Sequence, residues 1–572
     1  MPIARDPGRE RPWLARYPEG VPSEIDPPDG RVDDVVGAAV RSGPQRVAIR
    51  FYGRDLRYEE LWEESGRLAT ALGAEGVGPE DRVAVVLPNC PLYPIALLAA
   101  WRLGATIAQI SPLLVGDDLL AVLRDARPRA VVTLDHLYPP LDRARSAHAA
   151  ERYVLASLAD FLPAQPPRWM RPPRAVRPPA QPPSEVGVLR WREISGRTSG
   201  PPTPSRRGSA TSVALLQYTG GTTGTPKGAM LTHRNLLANA TQLNAWNFLR
   251  VPGEEVLLTS IPLFHIYGLT VGLLVGLIEG DAIVLQSAPD VGELLELVQT
   301  YRPTQFPGVP ALYQGLLRHP EVRRYDLRSI RYCLSGSAPL SVELQRRFEE
   351  ETGARLIEGY GLSESSPATH ANPRVGERRE GSIGLPLPGT EERIVDLETG
   401  SRTLPVGAIG ELEVRGPQVM LGYFGQPEET ARALHEGWLR TGDVARLDAD
   451  GFAYIVDRKK DMINVGGLKV WPREVEEVLF RHPAVLDAAV VGVPDPRSGE
   501  AVRAYVVRNA DASVTSQELT AFVRTHLAHY KVPREVEFRD ALPRSGVQKV
   551  LRRVLRVEAG RSDPPTGPGE RG

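Results

Sequence analysis

The stretch "LQYTGGTTGTPKGAMLTHRNL", residues 216–236, decides how the rest of the chain is interpreted. The thirteen residues from Tyr218 to Met230 contain four glycines, four threonines and one lysine, between an apolar run and a segment with helical character. Glycine exposes backbone N–H groups, threonine adds hydroxyl donors and Lys227 adds a point charge. Because a polyphosphate needs this combination of donors and charge, the stretch predicts a phosphate-binding loop.

This loop differs from the one in P-loop NTPases. Those proteins place G-x-x-x-x-G-K-[ST] between a strand and a helix, whereas here Lys227 follows proline and is followed by "GAM". A different kind of nucleotide site is therefore expected.

Composition restricts the class of protein. At 572 residues the chain is too long for one core, so we expect a large multilayer domain and at least one smaller domain. A net charge of −1 argues against a dedicated nucleic-acid binder. The two cysteines, Cys90 and Cys333, lack ligand spacing, so we expect reduced core residues in a cytoplasmic enzyme without a zinc site. The N-terminal stretch "MPIARDPGRERPW" has no apolar signal core, and no run reaches the length of a membrane span.

Lysine is rare in this chain. Only six of the 69 basic residues are lysines, namely Lys227, Lys459, Lys460, Lys469, Lys531 and Lys549. Arginine serves wherever a solvated charge is sufficient, so the remaining lysines are enriched for tasks that need a compact, rotatable ammonium. Lys469 and Lys531 are equally well explained as surface residues.

The order of predicted elements gives an α/β fold. Strand-like runs ("RVAVVLPN", "ATIAQISP", "RAVVTL") alternate with helix-like segments ("YEELWEESGRLATAL", "YPIALLAAWRLG") over residues 31–135, and the rhythm resumes after residue 212. Such alternation predicts parallel sheets covered by helices. We expect a large N-terminal domain of stacked, helix-covered sheets, with a small β-rich subdomain from about residue 380.

A small α+β domain is predicted at the C-terminal end. It contains the helix "PREVEEVLFRH", the strands "VLDAAVVGVP" and "AVRAYVVRN", and the helix "SQELTAFVRTHLAHY". The boundary is placed near Lys460, which gives domains at residues 1–459 and 460–556, and residues 557–572 have the composition of a disordered tail.

Residues 163–204 are rich in proline and contain "PRWMRPPRAVRPP". The simplest interpretation is an extended, polyproline-like surface loop. The alternative is an Arg/Trp/Met patch that contacts an anionic membrane.

Seven motifs in order resemble the adenylate-forming superfamily, which includes acyl-CoA synthetases, peptide-synthetase adenylation domains and luciferases. Besides the phosphate loop they are "PLFHIYG" (262–268), "LSGSAPLS" (334–341), "EGYGLSE" (358–364), "WLRTGD" (438–443), "VDRKKDMINVGG" (456–467) and "LPRSGVQKVLRR" (542–553). The resemblance covers residues 30 to 556. It implies attack of a carboxylate on the α-phosphorus of ATP, which yields an acyl-adenylate and pyrophosphate.

The resemblance also assigns nucleotide-binding residues. Lys227 would hold the β- and γ-phosphates, Tyr360 would stack on adenine, Ser363 would contact the α-phosphate, and Glu364 would bind Mg2+. Gly359 and Gly361 would form a turn that lets the backbone approach closely. Asp443 would bind the ribose hydroxyls with help from Arg458. The remaining residues implied to bind nucleotide or coenzyme are Thr219, Gly220, Gly221, Thr222, Thr223, Gly224, Gly336, Ser337, Ala338, Pro339 and Glu358.

Lys549 resembles the mobile lysine of the family, which bridges the substrate carboxylate and the α-phosphate and stabilises the transition state electrostatically. The motif departs from the family pattern just before this lysine, where Gln548 replaces the usual glycine. If that position needs φ > 0, the replacement costs on the order of 1–2 kcal/mol, unless Gly546 forms the turn instead.

Lys460 occupies the position of the family's hinge, although "DRKKD" alone is equally consistent with a solvated charge run. The resemblance implies that the small domain rotates about this residue. One orientation presents Lys549 for adenylation. The other presents "NVGG", which includes Gly466 and Gly467, to form a tunnel for coenzyme A.

The acyl substrate is suggested by "LTVGLLVGLIEG", where Gly272, Gly276 and Gly280 have i, i+4, i+8 spacing. A bare helix face predicts either close helix packing or a slot for an alkyl chain. Nothing near "LSGSAP" supplies an acidic residue for an amino acid's ammonium group. The residues of several motifs most resemble those of long-chain fatty acid–CoA ligases. In such an enzyme, His265 would lie between the acyl pocket and the coenzyme channel.

The sequence thus predicts an ATP-, Mg2+- and coenzyme A-dependent ligase for medium- to long-chain fatty acids. The alternatives are a ligase for an aryl or other carboxylate, to coenzyme A or a carrier protein, and a non-catalytic acyl-adenylate or acyl-CoA binding protein, suggested by Gln548. We expect small-molecule partners, a cytoplasmic location and no nucleic acid, with peripheral membrane contact as the alternative interpretation of the proline-rich segment. A homodimer is compatible with the sequence.

Overall fold

The computed structural model describes residues 11–148, 150–170, 186–196, 208–219, 226–509, 512–544 and 550–559. The described chain divides into two compact units. The first contains the described residues up to Glu392, with Val414–Leu439 and Asp450–Phe452. The second contains Arg393–Glu413, Arg440–Ala449 and the described residues from Ala453 onward. A single domain boundary at Lys460 stays a prediction.

The strands are numbered in chain order. They are β1 Val47–Phe51, β2 Arg54–Arg57, β3 Arg82–Val86, β4 Thr106–Gln109, β5 Ala130–Leu134, β6 Arg152–Ala156, β7 Val188–Arg190, β8 Val213–Thr219, β9 Lys227–Thr232, β10 Val256–Thr259, β11 Ala282–Leu285, β12 Tyr332–Ser335, β13 Arg355–Gly361, β14 Ala368–Ala371, β15 Leu385–Pro386, β16 Glu391–Val395, β17 Gly410–Arg415, β18 Leu434–His435, β19 Trp438–Leu447, β20 Ala453–Arg458, β21 Ile463–Val465, β22 Leu468–Val470, β23 Val485–Asp495, β24 Gly499–Arg508 and β25 Glu535–Phe538.

The α-helices follow the same order. They are α1 Val32–Ser42, α2 Tyr58–Ala74, α3 Leu92–Arg102, α4 Gly116–Ala126, α5 Tyr138–Arg143, α6 Trp191–Ser195, α7 His233–Trp246, α8 Ile266–Leu269, α9 Val275–Leu277, α10 Val291–Tyr301, α11 Pro310–Arg318, α12 Val342–Thr352, α13 Pro427–Ala433, α14 Pro472–Phe480, α15 Ser516–His526 and α16 Arg552–Ala559.

A largely parallel sheet in the order β7-β6-β5-β3-β4-β8-β9 forms one layer of the first unit. The runs "RVAVVLPN", "ATIAQISP" and "RAVVTL" are β3, β4 and β5, and they pair in parallel as predicted. Every residue of β5 is buried, which explains its unbroken apolar sequence, since such a strand is covered on both faces. The β8–β9 pair at one edge of this sheet is antiparallel.

Two further sheets in the first unit have the orders β10-β11-β1-β2 and β12-β13-β14-β15. The parallel strands β12 and β13 pair with Ser335 opposite Glu358. The carboxyl ends of parallel strands lie at the same edge of a sheet, so the motifs "LSGSAPLS" and "EGYGLSE" meet there. A buried cluster beneath these strands includes Phe306, Tyr313 and Phe348.

The β-rich subdomain is confirmed as a sheet in the order β16-β17-β19-β18, with β20 paired to β19. The C-terminal α+β stretch is also confirmed. Its sheet has the order β22-β21-β24-β23, with β25 on β24. Helix α14 packs its apolar face, with Val475 and Leu479, into the core of this sheet. Helix α15 ends at His526, earlier than the predicted helix.

The proline-rich segment is only partly a loop. Strand β7 lies within this segment and pairs with β6, which precedes it, and α6 follows β7 immediately. Met170 is 7% exposed, so it does not belong to a surface patch for a membrane. Residues 171–185 and 197–207, which carry most of the arginines and prolines of this segment, lie outside the described residues.

The glycine face of "LTVGLLVGLIEG" is not an open slot. Residues Thr270–Leu274 form a π-helical turn between α8 and α9, which disrupts the predicted i, i+4, i+8 alignment, and Gly280 has φ +82° beyond the helix. A Cβ atom on Gly272 would lie 2.7 Å from Cγ2 of Thr259 in β10, and one on Gly276 would lie 3.4 Å from Leu257. The slot interpretation was wrong, because β10 fills the space that both glycines leave.

Both cysteines are buried and free, as expected of core residues. Among the described residues, no helix combines the length and the apolar character that crossing a bilayer requires.

Candidate active site

The predicted phosphate loop connects the two strands of a hairpin. Strands β8 and β9 are antiparallel, and their last pair joins Thr219 to Lys227. Gly220, Gly221, Thr222, Thr223 and Gly224 lie outside the described residues. Helix α7 follows β9 directly. Thr232, the last residue of β9, caps this helix because its hydroxyl accepts the Asn235 N–H at 3.0 Å.

Lys227 contacts two residues that the sequence motifs did not indicate. Its Nζ lies 2.5 Å from Oε2 of Glu429 and 5.5 Å from the ring centroid of Tyr423. The hydrogen bond from Lys227 lowers the pKa of Glu429, which keeps this carboxylate ionised. About two hundred residues separate Glu429 from the loop, so no local pattern connected them.

We call residues 420–429 the strap, because their backbone pairs with β9. The Met230 N–H donates to the Gly422 carbonyl at 2.8 Å, and the Phe424 N–H donates to the Gly228 carbonyl at 2.8 Å. The Gln426 amide donates to the carbonyl of Pro226 at 2.9 Å. The strap thus fixes the chain where it leaves the phosphate loop.

Glu364 is held by the same strap. The Met420 N–H donates to the Glu364 carbonyl at 2.8 Å, and the Tyr423 hydroxyl donates to Glu364 Oε1 at 2.7 Å. Burial and the neighbouring carboxylate raise the pKa of Tyr423. The phenol therefore keeps its proton and acts as a donor to Glu364 at neutral pH.

Ser363 and Glu364 lie in a short 3-10 turn, Ser363–Ser365. The Ser365 hydroxyl donates to the Pro367 carbonyl at 2.5 Å, and the Leu362 N–H donates to the same oxygen at 3.0 Å. These bonds fix the turn independently of any ligand.

Tyr360 lies in strand β13, which corrects the prediction of a turn at this position. It pairs with His370 of β14, and the two rings are edge to face at 5.9 Å. A Cβ atom on Gly361 would lie 2.0 Å from the Pro367 carbonyl oxygen, and one on Gly359 would lie 2.7 Å from Leu334. The two glycines therefore allow close approach within the chain itself. Glu358, at the pairing position opposite Ser335, is 7% exposed.

The segment from Gly336 to Pro339 begins directly after β12. A Cβ atom on Gly336 would lie 3.1 Å from the Tyr267 ring, whose hydroxyl donates to the Leu334 carbonyl at 2.5 Å. Ser337 adopts φ +66°, a left-handed conformation that is uncommon outside glycine and marks a constrained loop. Ala338 and Pro339 continue this loop.

His265 caps helix α8. Its Nδ1 accepts the Tyr267 N–H at 3.3 Å. This contact gives the ring a structural task, and its location between acyl pocket and coenzyme channel stays a prediction.

Asp443 and Arg458 belong to the second unit and pair across strands β19 and β20. The Arg458 Nε lies 3.0 Å from Asp443 Oδ1, and the aspartate side chain is 4% exposed. The adjacent Gly442 has φ +71° with nothing within 4 Å of its Cβ position. The backbone beside Asp443 is therefore open on that side.

Lys460 is exposed in the short turn Lys459–Asp461. Its two neighbours in the chain are anchored to different elements. Lys459 Nζ lies 2.8 Å from Glu411 of β17, whereas Asp461 lies 2.9 Å from Arg556 and 3.6 Å from Arg552, both in α16. Lys460 thus lies between two anchored residues.

Gly466 and Gly467 form the turn between β21 and β22 with φ +59° and +88°. Nothing lies within 4 Å of either Cβ position, so this turn presents exposed backbone. Lys549 and Gln548 lie outside the described residues.

The described side chains could bind Mg2+ only together with the phosphates of a ligand. In the part of the chain that the structure describes, no group of three or more His, Cys, Asp or Glu side chains is arranged to hold a metal by itself. The oriented carboxylate of Glu364 beside the phosphate hairpin agrees with the preference of Mg2+ for one or two carboxylates plus substrate phosphates.

Comparison with known proteins gives the family. The model for the AMP-binding enzyme family matches residues 37–424, and that for the AMP-binding enzyme C-terminal domain matches residues 474–549. The chain is 41% identical to a long-chain-fatty-acid–CoA ligase of Bacillus subtilis and 39% identical to one of Yersinia pestis, in each case over 96% of this chain and 98% of the relative. A benzoate CoA ligase structure from Burkholderia xenovorans superimposes with a TM-score of 0.79 at 28% identity, covering 92% of this chain and 99% of that one. The chain belongs to the AMP-binding enzyme family.

Proposed function

We propose that this protein is an ATP-dependent, AMP-forming ligase that converts a medium- to long-chain fatty acid to its coenzyme A thioester. The observation that carries the proposal is the similarity to the Bacillus subtilis ligase, which extends over 96% of this chain and therefore includes both domains. The motifs for both half-reactions lie within the matched length.

The chemistry proceeds in two steps. A free carboxylate has no leaving group suited to acyl transfer, so the acid must first be activated. The fatty acid carboxylate attacks the α-phosphorus of ATP, pyrophosphate leaves, and an acyl-adenylate forms. The thiolate of coenzyme A then attacks the acyl carbonyl and AMP leaves. Bound Mg2+ would neutralise phosphate charge during the first step.

In the first unit, we assign phosphate binding to Lys227 and the hairpin from Thr219 to Gly224, adenine stacking to Tyr360, α-phosphate contact to Ser363 and Mg2+ binding to Glu364. The loop from Gly336 to Pro339 borders this nucleotide. Support comes from the strap contacts, because the Tyr423 ring lies 5.5 Å from the Lys227 ammonium and its hydroxyl donates to Glu364.

In the second unit, we assign ribose binding to Asp443 and Arg458, the hinge to Lys460, and coenzyme A contact to Gly466 and Gly467. Lys549 would stabilise the adenylation transition state. The buried, ion-paired Asp443 supports the ribose assignment, since a fixed carboxylate accepts two neighbouring hydroxyls well.

The alternative is a ligase for an aryl carboxylate. It is favoured by the likeness to the benzoate CoA ligase structure and by the absence of an open alkyl slot at Gly272 and Gly276. Val271 and Val275, each one residue before one of these glycines, border a cavity of about 20 Å³ together with Tyr332 and Leu334 of β12. A space of this size holds about one water, so an alkyl chain entering there would have to displace side chains.

Pyrophosphate release with a panel of carboxylates, with and without coenzyme A, tests the proposal. We expect turnover with C8 to C18 acids that requires both ATP and coenzyme A for the thioester. Turnover with benzoate derivatives alone would select the aryl alternative. Binding of acyl-adenylate without turnover of any acid would select the non-catalytic alternative. Cytoplasmic location, membrane contact through residues 163–204 and a homodimer stay predictions from the sequence.

A further inference from the structure

The strap makes contacts that the assigned roles do not require. Residues 420–429 lie far along the chain from both the phosphate hairpin and the turn that carries Glu364, yet they bond to both. Tyr423 is central, because its hydroxyl contacts Glu364 and its ring lies beside the Lys227 ammonium.

The position of Tyr423 is fixed from its own backbone. It forms a bridge with Ala229 of β9, and its N–H donates to the Thr430 hydroxyl at 2.8 Å. A donor fixed in this way orients Glu364 through Oε1 and makes no bond to the second carboxylate oxygen. A hydrogen bond to an ionised group is worth more than one between neutral groups, so removing the hydroxyl should have a measurable effect.

Glu429 has a different relation to Lys227. Its Oε2 pairs with Lys227, while its Oε1 accepts a hydrogen bond from Arg432. Glu429 keeps this second partner when Lys227 moves to a phosphate. The side chains of Lys227 and Glu429 are 19% and 28% exposed, and partly solvated pairs of this kind separate at low cost.

We propose that the strap organises the nucleotide site: Tyr423 positions Glu364 for Mg2+, and Glu429 holds Lys227 until ATP phosphate displaces it. This proposal rests on the proposed function, because it assumes that Glu364 and Lys227 meet ATP. Tyr423 and Glu429 are positioning residues that act through these two side chains.

Calorimetric titration of the full chain with ATP, in Mg2+ and in EDTA, tests the role of Tyr423. Tyr423→Phe removes the hydroxyl and keeps the ring beside Lys227. We expect ATP binding in Mg2+ to weaken about tenfold, equivalent to ~1.4 kcal/mol, with binding in EDTA unchanged. Adding Tyr423→Phe to Glu364→Gln should cause no further loss, since the two residues act as one unit. Equal weakening in Mg2+ and EDTA, or full additivity, would overturn the positioning role.

Glu429→Gln tests the holding role. Glu429 competes with the ATP phosphates for Lys227, so removing its charge should tighten ATP binding roughly threefold in both Mg2+ and EDTA. The matched control is Glu428→Gln, whose side chain is 86% exposed and pairs with Arg432 at 3.8 Å, and it should bind ATP like the unmodified chain. Weaker ATP binding by Glu429→Gln would overturn the holding role.

The two proposals fail in different ways. If the unmodified chain binds ATP and releases pyrophosphate while Tyr423→Phe and Glu429→Gln behave like it, only the strap proposal is overturned. If the unmodified chain binds no ATP, both proposals are overturned.

Discussion

The candidate functional residues of the two units are held by different kinds of contact. In the first unit, the strap pairs its backbone with β9, the Tyr423 hydroxyl donates to Glu364, and Glu429 adds one ion pair to Lys227. In the second unit, the residues around Lys460 are held by charge pairs, such as Lys459 with Glu411 and Asp461 with Arg556.

This difference agrees with the roles proposed for the residues of the two units. Backbone pairing and buried hydrogen bonds fix positions, and aligning ATP for in-line attack requires fixed positions. The ion pairs beside Lys460 combine a partly exposed base with a buried carboxylate, Glu411 at 6% and Asp461 at 9% exposed. They anchor the residues on both sides of Lys460 and leave Lys460 itself exposed. We expect substitutions at Lys549 and at Lys460, both in the second unit, to affect different half-reactions.

The largest expected effect lies at Lys549. Lys549→Ala should lower adenylate formation roughly 10²–10³-fold, because one charge that stabilises the transition state is lost. Thioester formation from supplied acyl-adenylate should be spared. Pyrophosphate release and thioester yield measure the two steps separately.

Lys531→Ala is the control for loss of a lysine, since Lys531 pairs with Glu474 at 2.6 Å in the same unit. It should change neither step appreciably. Equal losses in both half-reactions of Lys549→Ala would show that Lys549 is structural.

The next effect concerns the turn at Lys460. Lys460→Pro fixes φ and restricts Lys459, so it should trap one orientation and lower coenzyme A transfer on the order of 10²-fold, as a backbone penalty of ~3 kcal/mol implies. Adenylation should survive. Lys460→Ala, which removes the side chain without fixing the backbone, is the matched control, and unchanged turnover of Lys460→Pro would exclude a hinge here.

A smaller effect is expected from packing in the first unit. Gly272→Ala places a methyl group 2.7 Å from Thr259, and overpacking of this kind costs typically 1–3 kcal/mol. The melting temperature should fall, and kcat/KM should fall alike for C8 through C18 acids. Gly276→Ala meets Leu257 at an ordinary 3.4 Å and serves as the milder control. A selective loss of long acids at an unchanged melting temperature would restore the slot interpretation.

The last expected effect is a pH dependence of stability in the second unit. Burial raises the pKa of Asp457 from 3.8 to about 6. Because the folded-state pKa is raised, this group favours the folded state at low pH, and its contribution is lost as pH rises from about 4 through 6. The melting temperature of the unmodified chain relative to Asp457→Asn should therefore decline over this range and level off above it. Asp540→Asn, at an exposed aspartate, provides the control, and a flat difference would contradict the prediction.

Local sequence was sufficient for most elements. The strands β3, β4 and β5 and the helices α2, α3 and α14 lie where apolar periodicity predicted them, because burial of one face or of both faces leaves a short-range pattern. The order of the motifs pointed to the family, and the family models agree.

Short-range sequence patterns could not predict the contacts between segments that are distant in the chain. The strap reaches β9 across roughly two hundred residues, and Glu411 meets Lys459 across 48. Neither contact leaves a periodic or compositional trace, because a single hydrogen bond constrains only the two positions that make it. The glycines of "LTVGLLVGLIEG" show the same limit, since spacing alone did not distinguish a slot from close packing.

The sequence by itself determined the α/β class and the family, since these depend on local periodicity and on motifs whose residues are close together in the chain; the residues assigned to ATP stay a prediction. Only the tertiary structure decided that β10 fills the glycine face, that Tyr360 lies in a strand, and that Tyr423 and Glu429 hold Glu364 and Lys227. The physical reason is that packing and hydrogen bonding depend on distance in space, which the folded chain sets independently of distance along the sequence.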